Sequence, residues 1–146
     1  EFSLELARDY RGTVQRFLAL QVHGDEHAHA GLRQLSASLS AHGEPNPRSL
    51  AAGLEILRTG DLRAGVSHVT QPTLVLTGAY DRLVPPAAGA WLADTISGAR
   101  LCSFPKAAHA PFLSHPREFV AVLQDFLTPL QVTAAPAWSR GASRHG

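Results

Sequence analysis

The stretch Thr73-Leu74-Val75-Leu76-Thr77 restricts the fold of this chain more than any other. It is short, β-branched and almost continuously apolar, which is how a strand buried on both faces of a parallel sheet reads. A parallel neighbour needs a long crossover, usually a helix. The chain supplies one. Gly78-Ala79-Tyr80-Asp81 leaves the strand, Pro85-Pro86 opens a helix over about residues 86–96, and Arg100-Leu101-Cys102-Ser103-Phe104 reads as a second strand. The expected fold class is therefore α/β, with a β-α-β unit whose two strands run parallel.

Parallel strands end on the same edge of their sheet, the edge where open α/β sheets carry their chemistry. Asp81 falls just past the first strand and His109 just past the second. A carboxylate beside an imidazole accepts the Nδ1 proton, fixes the tautomer and stabilises the imidazolium formed when Nε2 takes a proton. Alone, an Asp after a strand is usually a turn residue and a loop His is usually structural. Placed together, they read as the acid and general base of a serine-type hydrolase. The small neighbours Ala107, Ala108 and Ala110 are expected to leave the ring free, and Pro111 to stiffen the loop. His23, His27 and His29 could offer metal nitrogens, but Gly24 interrupts the helix between them, so a solvated face fits them better. His115 is expected to cap the last helix, and Cys102 to be a small hydrophobe within its strand.

Upstream of the first strand the chain reads as short helices. Tyr10, Val14, Phe17 and Leu18 put one apolar face on a helix over 4–23, with Arg8, Arg11 and Arg16 turned outward and Gly12 weakening it. A second helix over 25–41 takes Asp25 as its N-cap and Leu32, Leu35 and Leu39 as its stripe. Asn46 caps a third, opened by Pro47, with Leu50, Leu54 and Leu57 buried. Asp61 can cap a short helix to about Val66. Either a small helical bundle or a helical cap over a sheet fits. The last helix starts at Pro116 and shows Phe119, Val122, Leu123, Phe126, Leu127 and Leu130 on one face, with Pro129 breaking its end. The expected organisation is a cap over 1–66, a sheet-bearing part over 67–130 and a disordered tail over 131–146.

The nucleophile is the piece not found. No Gly-x-Ser-x-Gly occurs; Gly65-Val66-Ser67-His68-Val69 lacks the second glycine and follows no strand, and Ser103 and Ser114 are in the wrong context. In α/β-hydrolases the chain order is Ser, acid, His. A chain beginning between Ser and acid would look like this one, and the lack of any Met among 146 residues also predicts a partial chain. Thirteen Lys+Arg against 12 Asp+Glu give a net charge of +1, too balanced for bulk attraction to nucleic acid or membrane. A single Cys102 allows no internal disulfide and fits a reducing, cytoplasmic compartment.

Four segments carry a family resemblance. They are Thr13 to Gln21 (TVQRFLALQ), Gly53 to Arg63 (GLEILRTGDLR), Gly78 to Pro85 (GAYDRLVP) and Lys106 to Pro116 (KAAHAPFLSHP). In this order they resemble the C-terminal portion of BioH-type pimeloyl-[acyl-carrier protein] methyl ester esterases, which are α/β-hydrolases. The resemblance covers roughly residues 10–128. It implies a helical lid up to about residue 66, with Asp81 and His109 as catalytic acid and base. It implies Phe17 beside the acyl chain, and Arg16 and Arg33 facing the acyl-carrier protein that bears the ester. Gly12 and His29 stand where the family has further lid arginines. No cofactor or metal is implied. The implied activity is carboxylic ester hydrolysis in biotin biosynthesis, the serine being supplied by a missing N-terminal half. A general carboxylesterase, or a non-catalytic module binding an acidic partner, are the alternatives.

Overall fold

A computed structural model describes residues 2–41, 43 and 45–134. Strands β1 (Leu74–Gly78) and β2 (Arg100–Phe104) pair in parallel, in register from Leu74 opposite Arg100 to Gly78 opposite Phe104. Helix α6 (Pro86–Thr95) crosses between them and packs on β1. Gly89 makes this packing close, because a Cβ there would run into the Thr77 methyl. The β1 residues before Gly78 are half-buried rather than fully buried, and Leu101 on β2 is exposed. The apolar run therefore specifies strand and pairing, while the described residues leave it incompletely covered.

Five helices precede the sheet: α1 (Phe2–Arg8), α2 (Tyr10–Gln21), α3 (Ala28–Ala41), α4 (Pro47–Thr59) and α5 (Arg63–Val66). The single helix expected over 4–23 is broken, and the break is at Asp9. Its Oδ1 accepts the Gly12 amide at 2.9 Å, so Asp9 caps α2. Gly12 has a purpose in this arrangement, since a Cβ there would collide with the Asp9 carboxylate. Leu6, Leu18 and Val22 are buried where α1, α2 and α3 meet, with Thr13 among them. The expected outward arginines Arg8, Arg11 and Arg16 are exposed.

Helix α3 begins at Ala28, not 25, and Asp25 serves a different end, described below. Asn46 caps α4 as expected, its Oδ1 accepting the amides of Arg48 and Ser49 at 2.9 and 3.3 Å. The stripe of α4 is a correction: Leu50 and Leu54 are half-buried, but Leu57 is 81% exposed. Asp61 bonds the Arg63 amide and guanidinium without capping α5, whose cap is Leu62.

After β2 come α7 (Pro111–Ser114) and α8 (Pro116–Ala134). Phe119 of α8 stacks on Phe104 at 6.2 Å, and Asp125 accepts from Arg100 at 2.7 Å, fastening α8 to both ends of β2. Pro129 does not end this helix. A proline costs one backbone bond and crowds the preceding turn, yet α8 runs through it to Ala134, with Asp125, Thr128 and Pro129 all facing solvent. Residues 135–146 of the expected tail lie outside the described residues, as does the side chain of His29. No helix among the described residues is long and apolar enough to cross a membrane.

Candidate active site

The loop after β2 is pressed against the end of β1. Gly78 permits it, because a Cβ at that position would overlap the carbonyl oxygens of Ala107 and Ala108. The Ala79 amide donates to Phe104 O at 2.9 Å and the Tyr80 amide to Ala107 O at 3.0 Å, continuing the strand pairing into the two loops. Ala107 and Ala108 are fully buried and Ala110 nearly so. The buried alanines thus lie where the backbones of the two loops meet.

Asp81 and His109, 28 residues apart, meet at this edge. Asp81 Oδ2 lies 2.8 Å from His109 Nδ1. The other oxygen, Oδ1, accepts the amides of Leu83 and Val84 at 2.9 and 2.8 Å, so the carboxylate is fixed on one side and presented on the other. Its side chain is 9% exposed and that of His109 is 32% exposed. An ionised carboxylate only accepts, so Nδ1 carries the hydrogen and Nε2 is the basic nitrogen. The pair can hold a proton at Nε2 and stabilise the resulting imidazolium.

Contacts from the helical part hold the His109 loop, and sequence reasoning missed them. The His109 amide donates to Gln21 O at the end of α2, at 2.9 Å. The Ala108 amide donates to Asp25 Oδ2 at 3.0 Å, a bond spanning 83 residues, while Asp25 Oδ1 accepts the His27 amide at 2.8 Å. Burial pushes the Asp25 carboxyl up, but the Ser114 hydroxyl, these two amides and His115 outweigh it and hold it below the ordinary range. Glu26 is also held low, first by Lys106 and then by His115. His115 does not cap α8 with its ring. Nδ1 meets Ser114 Oγ at 2.7 Å and Nε2 meets Glu26 Oε1 at 3.0 Å, because the buried ring faces the lid turn.

The remaining expected residues stay on the helices. Phe17, half-buried, lies one turn before Gln21 on α2, its ring 5.7 Å from that of Phe2. Arg16 is exposed but engaged: it donates to Thr13 Oγ1 at 2.9 Å and lies 3.5 Å from Glu5 and 3.8 Å from Asp9. Arg33 is exposed on α3. Cys102 is half-buried within β2.

An esterase from Exiguobacterium antarcticum superposes on this chain with a TM-score of 0.76 at 24% identity, over 87% of this chain and 46% of its own. The helical cap followed by β-α-β-α is that of the C-terminal part of an α/β-hydrolase, and the chain is a member of that fold class. No family model matches the chain. Its sequence is 45% identical over 120 residues, 82% of this chain, to a protein of Nitrosomonas europaea named pimeloyl-[acyl-carrier protein] methyl ester esterase. One of the same name from Xanthomonas axonopodis pv. citri is 44% identical over 128 residues, 87% of the chain. The chain belongs to the family of these esterases. It spans about half the length of the curated relatives it matches, 48% and 50% for these two.

Proposed function

We propose that this chain is the lid and the acid–base part of a serine carboxylesterase that hydrolyses the methyl ester of a pimeloyl group carried on acyl-carrier protein, in the cytoplasmic synthesis of biotin. The observation that carries the reading is the bond of Asp81 Oδ2 to His109 Nδ1 at the C-terminal edge of a parallel sheet. The name of the relatives supplies the substrate. The 146 residues contain no Gly-x-Ser-x-Gly, and in this reading the nucleophile and oxyanion donors are supplied by chain outside them.

In this reading His109 Nε2 takes the serine proton as the serine oxygen attacks the ester carbonyl. The proton passes to the departing methoxide, which leaves as methanol. Water then attacks the acyl-enzyme, His109 removes its proton, and the free carboxylate leaves as serine is reprotonated. Asp81 orients His109 throughout. Phe17 lies beside the acyl chain, and Arg16 and Arg33 meet the acidic carrier.

One observation favours a second reading, a general carboxylesterase. Arg16 already has Glu5, Asp9 and Thr13 around it, which lowers what it can offer a carrier. Assays of the intact natural protein separate the two. For the carrier-bound ester, Arg33→Glu is expected to lower kcat/KM about tenfold or more, while a small soluble methyl ester is cleaved as before. Equal loss on both esters would remove the carrier from the proposal. The 146 residues alone are expected to show no turnover; turnover abolished by a serine-directed phosphonate would place the nucleophile within them.

A further inference from the structure

Three potential metal ligands converge where the turn between α2 and α3 meets the His115 segment. Asp25, His27 and His115 each offer a ligand atom within 4.8 Å of the others. Glu26 stands beside two of them, its Oε1 3.0 Å from His115 Nε2 and 3.9 Å from His27 Nδ1. Asp25 and His27 come from one turn, and His115 arrives from far along the sequence. The rings of His27 and His115 stand edge to face with centres 5.3 Å apart.

We propose that this seam is a binding site for a divalent transition-metal ion of the zinc class, with His27 and His115 as nitrogen ligands and the Asp25 carboxylate as an oxygen ligand, water completing the set. A tetrahedral zinc with bonds of about 2.0–2.1 Å sets its ligand atoms roughly 3.3 Å apart. The three ligand atoms lie within 4.8 Å of one another, so small side-chain shifts would bring them to that spacing. His27 is the exposed member, with its side chain 53% exposed, and gives the ion access.

Outer contacts fit as well. Ser114 Oγ, 2.7 Å from His115 Nδ1, holds that ring, as the outer partners of metal-bound histidines do. Glu26, held at 3.2 Å by Lys106, adds a second negative charge beside the group. The imidazole–carboxylate mixture favours zinc, nickel or cobalt over magnesium or calcium. Asp25 also holds the Ala108 amide, so a bound ion would fasten the lid turn to the loop that carries His109. The site stands whether or not the esterase reading does.

The test is zinc and cobalt titration of the intact natural protein after chelation, followed by calorimetry and visible absorption. Wild-type protein is expected to bind one zinc at this site, to show tetrahedral cobalt bands, and to unfold at a higher temperature with zinc but not with magnesium. His27→Ala, a change on an exposed ring that leaves the fold intact, is expected to weaken zinc about tenfold or more and to lose the cobalt bands and the thermal shift. Absence of zinc binding in the wild type would overturn the proposal. So would equal zinc affinity in His27→Ala, since the ion would then sit on other histidines.

Discussion

Two histidines six positions apart each meet a carboxylate, and the two pairs do opposite things. His109 bonds Asp81 through Nδ1 only and is one-third exposed, so Nε2 remains for chemistry. His115 is 6% exposed, with Ser114 on one nitrogen and Glu26 on the other. Pairing with a carboxylate therefore does not distinguish a base from a structural ring. What distinguishes them is a nitrogen left open at the surface. His115 meets the lid turn through Nε2 and its neighbour Ser114 through Nδ1, and that joint lies beside the bonds that hold the His109 loop.

The largest expected effect tests the first pair. In Asp81→Asn, the amide oxygen can still accept from Leu83 and Val84, but the amino group faces His109 Nδ1 and enforces the wrong tautomer. Ester hydrolysis by the intact protein is expected to fall about 10⁴-fold in kcat, with the thermal midpoint little changed. A fall of less than about tenfold would mean that the first pair is structural like the second. The middle effect tests the second pair. His115→Phe keeps the ring volume and removes both bonds, with an expected loss on the order of 1–3 kcal/mol in denaturant unfolding. Its kcat on a small ester should change less than about tenfold. If instead kcat collapses while stability holds, the roles of the two histidines are reversed.

The smallest effect concerns the joint's carboxylates. Asp25 has a folded pKa below its ordinary value, so its contribution is fully present above about pH 4. That contribution is lost as pH falls through the lower folded value. Wild-type protein is therefore expected to lose more stability between pH 5 and pH 3 than Asp25→Asn, which has no carboxylate there to protonate. Urea midpoints at the two pH values measure this, and equal losses would remove Asp25 from the joint.

The parts legible in the sequence are those written locally or by strand order. Asn46-Pro47 announced its helix because cap and first turn are adjacent in sequence. The apolar run at 73–77 and the crossover after it fixed a parallel pair, and that pair alone brings Asp81 beside His109. The joint was not legible. Asp25 reads as an N-cap because its local amide, that of His27, is indeed bonded; its second acceptor is used by an amide 83 residues away, which no local pattern encodes. His115 misled for the same reason, its position before Pro116 hiding a partner in the lid turn. The break at Asp9 does have a signal, an Asp directly before the periodic run, and Gly12 belongs to the same cap because its amide is the one Asp9 accepts. Leu57 shows the limit of periodicity, which gives the apolar face of a helix but not whether anything covers it.

The Gln21 carbonyl that accepts the His109 amide has a mechanical consequence. With the bond from Ala108 to Asp25, it pins the α2–α3 corner to the backbone of the adjacent residues Ala108 and His109. Lifting that corner would break both bonds and drag His109 off its register with Asp81. The corner is thus a fixed point of the helical cap, whereas α4 buries no residue among those described.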